Sequence, residues 1–227
     1  MKSLFFSSCF LLSSYIVIAQ KTYKVEAGEA FADIIPKNEI VKYSSFTDGV
    51  VTMKNGKKAT AKLNYHYLFG EIEFINQKDT LSLDNENAIE NVAIGTDSFI
   101  YNNGYLQLIR KGKDHSLVKK EGLILTDKLK ENGGFGKMNA SYGQALRSIS
   151  SRNALKQLIA NETLVFTQVK EFLLIDSKSD LWTANKKNFL KLYPGKKKEL
   201  ENFIDTNNIT FNKEEDLLRV FQYAETL

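Results

Sequence analysis

Histidine and carboxylate side chains supply most general acid–base chemistry, and this chain contains two histidines, His66 and His115. If the strands around them pair in the register derived below, His66 lies opposite Glu71, and Glu73 follows on the same face. Such a pair resembles a catalytic base with its orienting carboxylate, but an exposed cross-strand ion pair is the commoner meaning. We expect no serine or cysteine nucleophile beside it. His66, Glu71 and Glu73 form a candidate polar-face cluster, and both histidines are expected to face solvent.

Three further motifs do not match the chemical patterns that they resemble. The glycine spacing before Lys137 differs from that of a phosphate-binding loop, and Met138 stands where a serine or threonine should hold the metal. The acidic run at 84–87 lacks the glycine and the distant glutamate of a calcium loop. Neither histidine has another histidine at zinc-ligand spacing. The sequence therefore predicts neither a cofactor nor a metal.

The chain is mildly basic, with 31 Lys and Arg against 27 Asp and Glu and a formal net charge of +4. This small excess indicates neither nucleic-acid binding nor a polybasic membrane anchor. The densest positive stretch consists of six lysines: Lys186, Lys187, Lys191, Lys196, Lys197 and Lys198. Glu199 and Glu201 follow at once, so the pattern favours a solvated helix face, with anionic lipid or glycan binding as the alternative.

Residues 1–19 have the pattern of a secretory signal peptide. Lys2 provides the charge, an apolar core runs from Leu4 to Ile18, and Ala19 is the small residue before Gln20. Serines interrupt this core, and it is shorter than the roughly 20 residues that a spanning helix needs. We expect cleavage near Gln20, a periplasmic, outer-membrane-associated or secreted location, and no transmembrane span afterwards.

Cysteine usage agrees with export to a bacterial envelope. Cys9 is the only cysteine, and it falls inside the predicted signal peptide. It lies too early for the modified cysteine of a normal lipoprotein signal. The mature chain then has no thiol, which excludes disulfides and thiolate chemistry. Small secreted animal domains usually depend on disulfides, so a cysteine-free exported chain favours a bacterial source.

The mature chain begins as a ladder of short strands. From Asp48 onward, turn residues recur every eight to twelve positions, which is the spacing of an antiparallel meander. Asn55-Gly56 predicts a type I′ turn, because both central positions of that turn need positive φ. This turn joins strands predicted at Val50–Met53 and Lys58–Tyr65.

Two-residue turns at 68–69 and 77–78 fix the pairing of three successive strands. The apolar positions then share one face, which consists of Leu63, Tyr65, Ile72, Phe74, Leu81 and Leu83. The polar positions share the other face, which consists of Lys62, Asn64, His66, Glu71, Glu73, Ser82 and Asp84. A slip of one residue would bury those charges, which supports this register. We therefore expect Phe74 to be core and Glu73 to face water.

The same alternation continues in strands at 92–94, 99–101, 106–109 and 117–125. So many successive strands tend to curl into a rolled sheet, a sandwich or a partial barrel. Residues 20–127 are therefore predicted to form an antiparallel meander domain. Glycine, serine and asparagine are frequent from 128 to 151, which predicts a loop or linker.

Residues 152–227 predict a smaller part that contains strands and helices. Strands are expected at 164–169, 172–175 and 181–182, followed by helices at 185–193 and 196–206. A last helix is expected from Asn212, where Glu215 completes a capping pattern. The apolar stripes of these helices need a surface, either the curled sheet or the strands just before them. The predicted class is α+β, mainly antiparallel β.

Several stretches of the chain are similar to a known group of proteins. They are residues 48–56, 62–65, 70–75, 78–81, 186–194 and 212–218. These stretches resemble uncharacterised exported β-rich proteins of Bacteroidetes-type bacteria. The resemblance covers most of the mature chain and implies a compartment and a fold class. It implies no activity, because it brings no assigned catalytic or binding residues with it.

These observations lead to two functional hypotheses. The first is an exported, non-enzymatic β-rich scaffold or binding protein of the cell envelope, whose partner is another envelope protein, a glycan or a lipid. The second is a hydrolase of envelope polymers that uses carboxylates on the polar sheet face. Two clustered carboxylates in a concave pocket would favour the enzyme, whereas a shallow polar face would favour binding.

Overall fold

A sheet of twelve strands dominates the computed structural model, which describes residues 21–129, 135–137 and 163–227. The strands are β1 (Thr22–Val25), β2 (Thr47–Met53), β3 (Lys58–His66), β4 (Glu71–Asn76), β5 (Asp79–Ser82), β6 (Ile89–Ile94), β7 (Asp97–Tyr101), β8 (Tyr105–Lys111), β9 (Ser116–Leu129), β10 (Phe135–Lys137), β11 (Thr163–Ile175) and β12 (Leu181–Thr183). Every strand pair within these ranges is antiparallel. The predicted α+β class with mainly antiparallel β structure is confirmed.

Short helices accompany the sheet. They are α1 (Phe31–Ile34), α2 (Lys37–Ile40), α3 (Lys186–Leu192), α4 (Lys197–Thr206) and α5 (Glu214–Thr226), with 3₁₀ turns at Glu86–Ala88 and Pro194–Lys196. The Asn185 side chain caps α3 by accepting the Asn188 N–H. The predicted Asn212 cap is wrong, because α5 begins at Glu214 and its N-cap residue, Lys213, makes no side-chain cap. In the described ranges, no helix is long and apolar enough to cross a membrane.

The strand order corrects the simple meander that the sequence predicts. The order is β1-β11-β9-β8-β7-β6-β2-β3-β4-β5, while β10 pairs with β9 and β12 pairs with β11. Successive strands do pair from β2 to β5 and again from β6 to β9. After β5, however, the chain returns to the other edge of β2, where Val51 lies opposite Val92. Strand β1 pairs with β11 and stands at one end of the strand order, so the N-terminal and C-terminal parts of the chain belong to one sheet.

Contacts between distant strands show that the sheet curls. Four strands separate β3 from β9 in the sheet order. Nevertheless, the Tyr65 hydroxyl donates to the Glu121 carbonyl oxygen at 3.0 Å. The Leu123 N–H likewise donates to the Tyr67 carbonyl oxygen at 3.1 Å. The sheet therefore rolls until β3 meets β9, and we call the face that carries Tyr65 and Glu121 the inner face.

The predicted register of the first strands is confirmed. Leu63 lies opposite Phe74, and His66 lies opposite Glu71. Phe74 in turn lies opposite Leu81. This agreement follows from the strict alternation of side chains along a strand, which ties the register to the apolar pattern.

The turn at Asn55-Gly56 is not of the predicted type I′. Gly56 has a φ of +81°, whereas Asn55 is not among the residues with positive φ. The Met53 N–H donates to the Lys57 carbonyl oxygen at 2.8 Å, so the loop contains three residues rather than two. One left-handed glycine at the end of a three-residue loop is a common alternative hairpin. The strands that the turn joins are nevertheless the predicted ones.

Burial differs from the expected division into an apolar and a polar face. Phe74 is only partly buried and Leu81 is 42 % exposed, because β4 and β5 lie at the outer edge of the sheet. On the opposite face, Asn64, His66 and Glu73 are buried, with Glu73 only 3 % exposed. Phe74 therefore packs at the margin of the core, against the cluster that contains Leu63, Tyr65 and Ile72, and the expectation that Glu73 faces water is wrong.

Strands β9 and β11 form the long spine of the sheet. The two strands predicted at 164–169 and 172–175 are one continuous strand that pairs with β9 throughout. Lys170 lies opposite Glu121, and Glu171 lies opposite Lys120. Two cross-strand pairs of opposite charge therefore occupy the position where the sequence predicted a turn. The predicted linker at 128–151 is described only at 128–129 and 135–137, which are strand. The predicted signal peptide lies outside the described residues.

Apolar clusters cover the inner face of this spine at its two ends. One cluster joins α1 and the β3–β4 turn to the sheet and includes Phe31, Phe69, Leu123 and Phe166. The other joins α3, α4 and α5 to the sheet and includes Leu117, Leu174, Phe189, Leu200 and Phe221. The C-terminal helices therefore cover the sheet, as their apolar stripes require. Lys119 and Glu121 lie between the two clusters on β9.

Candidate functional site

His66, the first candidate for acid–base chemistry, is buried. The prediction that it faces solvent is wrong. Its side chain and backbone are together only 6 % exposed, and its ring stacks on Phe69 with a centroid distance of 4.4 Å. Its Nδ1 accepts the Phe69 N–H at 3.3 Å. The cause is the turn at 67–70, which folds back over the ring instead of extending into water. One imidazole nitrogen therefore stabilises a turn.

Glu71 and Glu73 lie beside His66, as the register predicts. Glu71 is opposite His66, and Glu73 is opposite Asn64. Ser82, which the predicted register places on the same face, donates its hydroxyl hydrogen to Glu71 Oε2 at 2.5 Å, so the expectation that no serine lies beside the His66–Glu71 pair is wrong. The three candidate residues thus share one patch of the sheet. Two of them, His66 and Glu73, are too buried to meet a polymeric substrate directly.

His115 belongs to a different environment and is not solvent-facing either. Its ring centroid lies 4.7 Å from that of Tyr193, and its Nδ1 lies 3.9 Å from Glu225 Oε1. The same carboxylate accepts the Tyr193 hydroxyl at 2.6 Å and the Lys113 N–H at 2.7 Å. These contacts fasten the β8–β9 hairpin to the end of α5. Among the described residues, no group of three His, Cys, Asp or Glu side chains is placed to hold a metal ion.

The structure reveals an inner charge cluster that the sequence did not indicate, formed by Lys42, Asp97, Gln107, Lys119, Glu121 and Glu214. Lys42 lies just before β2, and its side chain is 15 % exposed. Its Nζ donates to Gln107 Oε1 at 3.0 Å. It also lies 3.5 Å from Glu121 Oε2 and 3.7 Å from Asp97 Oδ2. Two carboxylates therefore converge on one ammonium group on the inner face.

Both carboxylate oxygens of Asp97 have partners besides Lys42. Gln107 Nε2 donates to Oδ1 at 2.9 Å, and the Tyr43 hydroxyl donates to Oδ2 at 2.7 Å. Such full hydrogen bonding is what a partly buried carboxylate requires. Asp97 thereby ties the segment before β2 to β7 and β8.

Lys119 extends the inner charge cluster to the C-terminal helices. Its Nζ lies 3.5 Å from Glu121 Oε1 and 3.1 Å from Glu214 Oε2. Glu214 is the first residue of α5, so this ion pair joins the start of that helix to the middle of β9. The cluster therefore links five separate parts of the chain, namely the segment before β2, the strands β7, β8 and β9, and the start of α5.

The space beside the inner charge cluster is small. Tyr65, Phe99, Tyr105, Gln107, Lys119 and Glu121 line a shallow depression, and almost none of its free space of about 160 Å³ is enclosed, because that volume includes open solvent. Small-molecule sites usually enclose about 300–1,000 Å³. This depression is therefore too small to enclose a sugar unit of an envelope polymer.

The sequence did not reveal this cluster, because its members are distant in the chain and come together only in the tertiary structure. Lys42 precedes the first predicted strand, while Asp97 and Gln107 fall on predicted strands and turns where polar residues are ordinary. The lysine and the glutamine are 65 residues apart in the chain. Only the return of the chain after β5 and the curl of the sheet bring them together.

Comparisons with known proteins identify no relative: no family model, no curated protein and no solved structure matches this chain.

Four tyrosines predict a loss of stability in alkali. Burial raises the pKa of the phenols of Tyr43, Tyr67, Tyr105 and Tyr193 above the ordinary value, and for Tyr43 the hydrogen bond to Asp97 raises the pKa further. An unfolded chain releases these protons near pH 10, but the folded chain retains them. The stabilisation is therefore fully present below about pH 10 and is lost as the pH rises beyond it.

Denaturant midpoints between pH 8 and pH 11, read beside phenolate absorbance, test this expectation. We expect a falling midpoint above about pH 10, and we expect the phenolate of these four tyrosines to appear only with unfolding. Tyr43→Phe should reduce the slope with which the midpoint falls as the pH rises. A folded protein in which all tyrosines ionise near pH 10 would contradict the burial of these four side chains.

Proposed function

We propose that this protein is an exported, non-enzymatic β-rich binding or scaffold protein of the cell envelope. The pattern of residues 1–19 and the absence of cysteine from the rest of the chain support export. The curled sheet supplies a rigid frame, in which the inner charge cluster joins the segment before β2, the strands β7 to β9 and the start of α5.

This proposal rests on one observation: hydrogen bonds and ion pairs within the protein already occupy the carboxylates of Asp97 and Glu121. A general acid or base must reach the proton that it transfers. Asp97 instead accepts hydrogen bonds from Gln107 and Tyr43, and Glu121 lies between two lysines. These carboxylates hold the fold together, and the depression beside them is small. A structural use of the charges accounts for every contact.

A hydrolase is the second candidate, and one observation favours it. Asp97 and Glu121 both lie within 4 Å of Lys42 Nζ, so two carboxylates are close together, and Glu121 also lines the shallow depression. Glycoside hydrolysis commonly uses two carboxylates that flank the scissile bond. In this proposal Asp97 and Glu121 would act on an envelope polysaccharide, after Lys42 moves aside.

One experiment on protein from the native host separates these functions. We expect the protein in the envelope fraction or the medium, with an intact mass that corresponds to a start near Gln20. Incubation with purified cell-wall polymer should release no soluble fragments. Retained Met1 in the cytoplasm would overturn export. Polymer cleavage that Glu121→Gln abolishes in a folded protein would establish the hydrolase instead.

A further inference from the structure

A lysine amine and a glutamine carboxamide meet inside the inner charge cluster. Lys42 Nζ donates to Gln107 Oε1 at 3.0 Å, although the two residues are 65 positions apart in the chain. The acyl carbon of Gln107 is one covalent bond beyond this oxygen. The Lys42 side chain is only 15 % exposed, so little water competes for this contact. Such an arrangement replaces the encounter of an amine with an amide by a contact within one molecule, which favours reaction between them.

The Asp97 carboxylate bridges the two nitrogen atoms of this pair. Its Oδ2 lies 3.7 Å from Lys42 Nζ, and its Oδ1 accepts a hydrogen bond from Gln107 Nε2 at 2.9 Å. The Tyr43 hydroxyl donates to Oδ2 at 2.7 Å and fixes this orientation. A carboxylate with one oxygen toward the amine and the other toward the amide nitrogen is placed to take a proton from the first and give a proton to the second.

Glu121 and Lys119 add charges of opposite sign to the same place. Glu121 Oε2 lies 3.5 Å from Lys42 Nζ, so Glu121 is a second base for the ammonium proton. Lys119 lies opposite Gln107 in the pairing of β8 with β9, and its side chain is 10 % exposed. Cross-strand partners project to the same face. The positive charge of Lys119 therefore favours the negative charge that develops on Gln107 Oε1 when the amide is attacked.

We propose that Lys42 and Gln107 form an intramolecular isopeptide bond without a separate enzyme. The Lys42 ammonium first transfers one proton to the Asp97 or Glu121 carboxylate. The neutral amine then attacks Gln107 Cδ, and the new Nζ–Cδ bond replaces the Cδ–Nε2 bond. Asp97 passes a second proton from Nζ to Nε2, which leaves as ammonia. The ammonia takes up the first proton and departs as ammonium, so the reaction needs neither an oxidant nor a cofactor.

This bond supplies a covalent link to a chain that cannot form an internal disulfide. Cys9 is the only cysteine in the sequence. The bond joins the segment before β2 to β8, which are brought together by the return of the chain after β5 and the curl of the sheet. The inference goes beyond the proposed function, because the reaction depends on the fold and not on the compartment. Its failure leaves the tests of export and of polymer cleavage unaffected.

Peptide mapping of the protein purified from its host tests this proposal. After unfolding and digestion with trypsin, we expect one branched peptide that contains both Lys42 and Gln107, with a mass one ammonia below the sum of its two parts. The intact mass alone is not sufficient, because an N-terminal Gln20 loses the same ammonia when it cyclises. Separate, unmodified peptides around Lys42 and Gln107 would overturn the proposal.

Lys42→Arg and Lys62→Arg are matched variants. The first removes the attacking amine, and the second removes an exposed lysine whose Nζ lies 2.8 Å from Asp48 Oδ2. We expect Lys42→Arg to abolish the branched peptide and to change the mobility of the unfolded chain in a denaturing gel, because the closed loop is opened. Lys62→Arg should retain both properties. A branched peptide that persists in Lys42→Arg, or is lost in Lys62→Arg, would overturn the assignment.

Asp97→Asn separates proton transfer from a structural role of this side chain. Asparagine has nearly the same shape as aspartate, but it does not carry a proton from one nitrogen to the other. General acid–base catalysis commonly contributes at least 100-fold, so the branched peptide should accumulate about 100-fold more slowly in freshly synthesised protein. A folded Asp97→Asn protein that forms the bond at the original rate would overturn the role of Asp97. The peptide map of the unaltered protein decides the proposal even where a variant does not fold.

Discussion

Gly49→Ala is expected to lower the free energy of unfolding by about 3 kcal/mol or more, at the upper end of the cost of overpacking. Gly49 lies in β2 between its two neighbours in the sheet, opposite Ala61 and Ile94. A Cβ at this position would lie 2.5 Å from the Ala93 carbonyl oxygen and 2.5 Å from Leu63 Cδ1. The backbone oxygen cannot move without breaking the pairing of β2 with β6.

Gly195→Ala is the matched control for this substitution. No atom outside its chain neighbours lies within 4 Å of a Cβ built at Gly195, and its φ is not in the left-handed region. The control should be neutral or slightly stabilising, because alanine restricts the unfolded chain. Urea midpoints of the two variants give the comparison. A Gly49→Ala protein as stable as the control would mean that β2 does not lie between β3 and β6.

Phe221→Ala should cost about 3–5 kcal/mol, as is typical when a buried aromatic side chain is deleted. Phe221 is completely buried in the cluster that joins the C-terminal helices to Leu117 and Leu174. It belongs to an apolar stripe on α5 that consists of Leu217, Val220, Phe221 and Ala224. Its removal leaves a cavity between the helix and the sheet, which neighbouring side chains fill only in part.

The exposed neighbour Gln222 provides the control. Gln222→Ala removes a solvent-facing side chain from the same turn of α5 and should change stability by less than about 0.5 kcal/mol. Thermal or urea unfolding of both variants tests the contrast. Equal effects would indicate that α5 does not pack on the sheet through this face.

Local patterns in the sequence were sufficient to predict the hairpins. The pairing of Leu63 with Phe74 follows from alternation and turn length alone, and both act over a few residues. The same reasoning predicted two strands around Lys170 and Glu171, because a charged pair resembles a turn when its partner strand is unknown. The cross-strand partners, Glu121 and Lys120, lie about fifty residues away and cannot be read locally.

The burial of the candidate residues could not be predicted for a similar reason. Alternation assigns Glu73 and His66 to a face, but it does not say whether that face meets water. Phe69 covers the His66 ring, and apolar side chains at the outer edge, such as Leu81, stay exposed. Coverage depends on where turns and edges fall in the complete sheet, which the return of the chain to β2 determines.

The pairing of β1 with β11 constrains the order in which the protein can assemble. Thr22 and Thr167 are partners although 145 positions separate them. Closing so long a loop adds little to the equilibrium cost, since each doubling of length costs only about 0.6 kcal/mol. The kinetic consequence is larger, because non-local strand pairs form slowly. During synthesis, β1 emerges before the other strands that the structure describes yet must wait for β11, so the first of these strands is among the last to join the native sheet.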